Sequence, residues 1–139
     1  MKLKALLVFG LVLLAGAIAR AQEPNLGENL FPPELIMQHQ QEIGLTEEQK
    51  NYFKTEGRKT QTQLTELQWK LEDAVEKFAT LLKADRIEEQ ATTAQLETVL
   101  NLEREVKRTQ LAFLIRLKNK LTPEQQARLR ELRSKASAK

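Results

Sequence analysis

Between Gly57 and Pro123 the chain contains neither glycine nor proline, a run of 65 residues, and that single feature leaves little besides helix to form there. No strand-like alternation competes with it. From Leu64 the apolar residues fall at Leu67, Leu71, Ala74, Phe78 and Leu81, spacings of 3, 4, 3, 4 and 3, which make a seam for packing against another helix. Val99, Leu102, Val106, Phe113, Leu117 and Leu121 supply a matching face further on. The run therefore reads as two long helices joined by one turn, an antiparallel hairpin. A helix from Thr46 to Lys83 is about 57 Å long, so the molecule is expected to be elongated.

Local signals set the expected ends. Leu45-Thr46-Glu47-Glu48-Gln49 is a capping box: the Thr46 hydroxyl accepts from the Gln49 N–H while the Gln49 side chain reaches back to the Thr46 N–H. Leu121-Thr122-Pro123-Glu124-Gln125 repeats it, with proline at the first helical position. The break within the hairpin is expected at Lys83 to Asp85, where Asp85 followed by Glu88 looks like a second cap. A short first helix is expected from Glu34 to Glu42, opened by Pro32-Pro33 and closed by Gly44 in a left-handed conformation. The last helix should run from Pro123 to Ser134. The fold class that results is all-α, a long hairpin flanked by two short helices.

The first residues have a different character. Lys2 and Lys4 precede an apolar run, Ala5 to Ala19, that ends in Ala19-Arg20-Ala21; this reads as a secretory signal peptide cleaved after Ala21. Its 15 residues are fewer than the roughly 20 that cross a bilayer as a helix. An uncleaved anchor is the alternative, and a periplasmic location is the expectation. The chain then divides into a leader at 1–21, an extended segment at 22–32, a helical domain at 33–134 and a frayed tail at 135–139.

Composition excludes several chemistries. There are no cysteines, one histidine, and only two serines, both near the C-terminus, so disulfides, thiolate sites and the usual nucleophile–base constellations are absent, and no enzyme is expected. No small-molecule substrate follows either. Without the leader the chain has 19 basic and 19 acidic residues, but residues 22–103 hold 8 basic against 16 acidic and residues 104–139 hold 11 against 3. That gradient suits helices paired through opposite charge. Nucleic acid is not an expected partner, because the leader exports the chain and Phe113 is the only aromatic residue of the basic stretch.

Two features point outward. Trp69 lies off the seam among Thr65, Glu66, Glu72 and Asp73, so a large apolar group is offered to a partner. Between Leu111 and Leu117 apolar residues wrap the whole helix, which a two-helix hairpin covers on one side only; the short helices or a second copy must cover the rest, and a homodimer is expected. His39 and Glu42, three apart on a helix face, with Met37 beside them, are weak candidates for a metal site, and two donors do not make one. No metal is expected.

The leader, the short helix, LTEEQ at 45–49, the glycine-free hairpin and LTPEQQARL at 121–129 together resemble the periplasmic Spy/CpxP superfamily, known for paired LTxxQ motifs. The resemblance covers nearly all of the chain after the leader. It implies a hook- or cradle-shaped helical dimer, serving either as an ATP-independent chaperone or as a heavy-metal sensor or resistance protein that binds Zn²⁺, Ni²⁺ or Co²⁺. Spacing is closest to the metal-sensor, CnrX-like branch. The ligands depart from it: the first helix has one histidine where sensors have two, and Phe113 and Leu117 stand where a later histidine and methionine are expected. The resemblance so read favours a chaperone-like or envelope-stress protein holding unfolded envelope proteins or a membrane signalling protein, with Phe31, Leu35, Ile36 and Trp69 as contacts. A metal sensor or resistance protein with a degenerate site is the alternative.

Overall fold

The structure, a computed structural model, describes residues 26–138. The leader expected at 1–21 lies outside the described residues, as does Lys139. Within the segment expected to be extended, Leu26–Asn29 forms a single 3-10 turn. Contacts divide the chain after Leu30, and the unit that begins at Phe31 contains every α-helix of the described residues. These are α1 (Pro33–Gln38), α2 (Glu47–Leu82), α3 (Glu89–Lys120) and α4 (Pro123–Ser137). Among the described residues there is no strand, and α2 and α3 pack on each other as the antiparallel hairpin.

Helix α1 is shorter than expected, ending at Gln38 rather than Glu42. The chain from His39 onward continues in turns that close on Gly44. Leu45 N–H donates to Gln40 O at 2.9 Å and Gly44 N–H to Gln41 O at 3.2 Å, with Gly44 at φ +63°. This pair of bonds is the Schellman arrangement, and its left-handed residue suits glycine because no Cβ meets the carbonyl. The reversal brings Ile43 and Leu45 into the core, where both are buried.

The start of α3 corrects the expected turn. Asp85 does not cap; Glu88 does, its carboxylate accepting from Ala91 N–H at 2.7 Å and Gln90 N–H at 3.3 Å, so residues 83–88 form the connection and the helix begins at Glu89. A carboxylate at the N-cap satisfies free N–H groups and places negative charge at the positive end of the helix dipole. Helix α4 extends to Ser137, three residues past the expected Ser134.

The core sits at one end of the hairpin. Phe31, Ile36, Leu117 and Leu129 are fully buried and are joined by Ile43, Leu45, Phe53, Leu121 and Leu132, with Leu35, Met37, Tyr52 and Phe113 packed against them. Elsewhere the seam is thin. Between Leu64 and Val106 the seam residues are half-buried, apart from buried Ala74 and Val99. Gln95 Nε2 donates to Ala74 O at 2.9 Å across the gap, which sets the register of the two helices. Two regions therefore follow from one hairpin: a cored motif end, and an arm formed by α2 beyond Thr60 and α3 before Phe113.

Candidate functional site

The two LTxxQ motifs meet. Thr46 Oγ1 accepts from Gln49 N–H at 3.1 Å and Gln49 Oε1 accepts from Thr46 N–H at 3.1 Å; Thr122 and Gln125 do the same at 3.1 and 2.9 Å. Beyond capping, the buried glutamine amides pair reciprocally, Gln49 Nε2 to Gln125 Oε1 at 2.8 Å and Gln125 Nε2 to Gln49 Oε1 at 3.0 Å. Each amide also donates to a main-chain carbonyl: Gln49 to Lys120 O at 2.8 Å, Gln125 to Ile43 O at 3.3 Å. Paired amides of this kind satisfy buried donors and acceptors together and fix one register. The motif leucines, Leu45 and Leu121, are buried beside them.

A second tie lies one step along the hairpin. Arg116 Nε approaches Glu56 Oε2 at 2.7 Å off the line of its N–H bond, and Arg116 Nη2 donates to buried Thr60 Oγ1 at 3.4 Å. The sequence signal for it was a lone arginine inside the apolar run Leu111 to Leu117. At the surface Lys120 donates to Glu48 at 2.9 Å and holds its carboxyl below the usual carboxylate range. Lys50 does the same to Glu47, and Lys135 with Arg128 to Glu131.

The candidate contact residues separate into two groups. Phe31 and Ile36 are fully buried, so they belong to the core and offer a partner no surface; the Phe31 ring is further covered by the Arg133 guanidinium at 5.1 Å. Leu35 is partly buried against the same core. Trp69 is the opposite case, 67% exposed on the arm. Leu82, Ile87, Leu100, Leu111 and Ile115 are exposed as well, so the short helices cover Phe113 and Leu117 within the apolar run but not Leu111 or Ile115.

His39 Nδ1 lies 2.7 Å from Glu42 Oε1, and Met37 packs against the core. Among the described residues no three His, Cys, Asp or Glu side chains gather as a metal cage. Leu117 is fully buried and Phe113 packs against the core, so neither position offers a donor. A transition ion needs about four donors for a closed site and at least three for an open one. The described residues of one chain do not supply such a set.

These features define a class: a helical hairpin closed by two reciprocal capping motifs, with its polar pairs structural rather than convergent on a reaction centre. Residues 5–128 match the profile of the heavy-metal resistance family, and the chain belongs to that family, which is not one of enzymes. No curated protein and no solved structure matches the chain.

Proposed function

We propose that this chain is an envelope protein of heavy-metal resistance with a degenerate metal site, acting through protein contacts along its arm. Family membership supports the role in resistance, and the leader-like residues 1–21 support a periplasmic place. The observation that carries the docking half is the uneven distribution of apolar surface: the motif end buries most of its large apolar side chains, Ile115 excepted, while the arm leaves Trp69, Leu100 and Leu111 in solvent. Shallow apolar contact flanked by charge binds other chains weakly and reversibly, which suits an unfolding envelope protein or the exposed segment of a membrane signalling protein. Neither a cofactor nor a small-molecule substrate enters this reading.

The test is a pair of measurements on the purified protein. Calorimetric titration with Zn²⁺, Ni²⁺ and Co²⁺ is expected to give no stoichiometric heat, whereas the protein slows aggregation of an unfolding protein and Trp69→Ala weakens that effect. Micromolar or tighter metal binding that His39→Ala abolishes would instead establish a metal sensor of the CnrX-like kind. That outcome would overturn the docking mechanism and leave the family assignment standing.

A further inference from the structure

The two outer edges of the arm carry opposite charge around apolar centres. At about 100° per residue, Trp69 lies opposite the seam that α2 turns toward α3. Glu66, Glu72, Asp73 and Glu76 flank it within two turns, all exposed, and none of the four enters an ion pair in the described residues. On α3, exposed Leu100, Leu111 and Ile115 lie on the edge that faces away from α2. A shallow groove between Leu100 and Leu111 is lined by Arg104, Lys107 and Arg108, with Glu103 at its side. The Gln95–Ala74 bond places Trp69 level with Leu100 in the antiparallel register.

We infer that the α2 edge of one copy seats on the α3 edge of another, with Trp69 in the groove between Leu100 and Leu111 and the four carboxylates facing Arg104 and Lys107. The groove calls for an acidic helix with an apolar anchor, and the chain's own α2 edge is one. Pairing like edges is disfavoured by the surplus of one sign on each: α3 against α3 sets Arg104, Lys107 and Arg108 against their copies with Glu103 beside them and Arg108 bridged to Glu105, and α2 against α2 sets four carboxylates against four with Lys70 beside them. Because the two edges lie on opposite sides of the hairpin, the contact is head-to-tail, and a copy engaged by one edge keeps the other free. This rests on the docking reading, because the arm surface it gives to a second copy is the same surface that reading offers to other chains.

Complementary single-edge variants test the geometry. Trp69→Ala removes one edge, and Arg104→Glu with Lys107→Glu reverses the other; all three sites are exposed, and circular dichroism confirms that the helices remain. By sedimentation velocity the unaltered protein is expected to self-associate, less so at high salt. Each variant alone should associate at least about tenfold more weakly. Mixed together the two should form a one-to-one pair, because each retains the edge the other lacks. Trp69 is the only tryptophan, so mixing should shift the emission of the charge-reversed variant to the blue. A two-fold contact between α3 edges predicts otherwise: Trp69→Ala would associate like the unaltered protein, and that result overturns the inference. So does an unaltered protein that stays monomeric. If that monomer still slows aggregation of an unfolding protein, only this inference falls; if it does not, the docking reading falls too.

Discussion

The motif end and the arm are built from the same two helices, yet they bury very different amounts of apolar surface. At the motif end four chain segments converge: the Phe31–Leu45 turn, the start of α2, the end of α3, and α4. Leu117 there has neighbours on every side and is fully buried. In the arm α3 has α2 on one side and solvent on the other, so Leu100 and Leu111 stay exposed. A two-helix ribbon buries one stripe of each helix whatever its sequence. Stability therefore concentrates where the LTxxQ motifs close the hairpin, and the arm remains available for contacts outside the chain.

The largest expected effect follows from that contrast. Leu117→Ala should lower stability by about 3 kcal/mol through lost burial and a cavity, whereas Leu111→Ala should cost less than about 0.5 kcal/mol; urea unfolding of both variants checks the difference. Equal losses would break the division into two regions. Next comes the amide pair. Gln125→Leu leaves the buried Gln49 amide without its partner and should cost about 2 kcal/mol, and adding Gln49→Leu should cost less than the sum of the single changes, a coupling that a double-mutant cycle reads directly. Additive losses would mean that the glutamines act only as separate caps.

The smallest effect is electrostatic. Lys120 lowers the Glu48 pKa in the folded chain, so the pair stabilises the native state above the ordinary carboxylate value, and that contribution is lost as pH falls through the lowered folded value. Both groups are at the surface, where such pairs add little. Lys120→Met should therefore lower stability slightly at neutral pH and leave it unchanged in acid, where Glu48 is protonated, so that urea unfolding followed against pH shows a slightly flatter acid side.

The helices were legible in the sequence because their signals are local. Thr46 and Thr122 cap α2 and α4 through residues three positions away, and the heptad seam identifies the faces that α2 and α3 share. The N-cap of α3 was missed because Asp85 and Glu88 carry the same chemistry, and only the chain's path through residues 83–88 selects Glu88. What the sequence could not reveal is long-range. Gln49 and Gln125 read as two independent caps, and nothing local says that their amides meet across 76 residues. Phe31 and Ile36 looked like candidate contacts because their cover, α4 and the end of α3, arrives from elsewhere in the chain. Trp69 was legible for the opposite reason: its neighbours along one helix are polar, and no other element covers it.

Hydrogen exchange of the purified protein, resolved by segment at low concentration, tests the division most directly. Amides from Gln49 to Phe53 and from Leu117 to Leu132 are expected to exchange slowest, through global unfolding, while Trp69 to Leu82 and Glu89 to Val99 exchange faster through local opening of the arm. Uniform protection along α2 and α3, or slower exchange in the arm than at the motif end, would contradict a fold held at one end by its paired motifs.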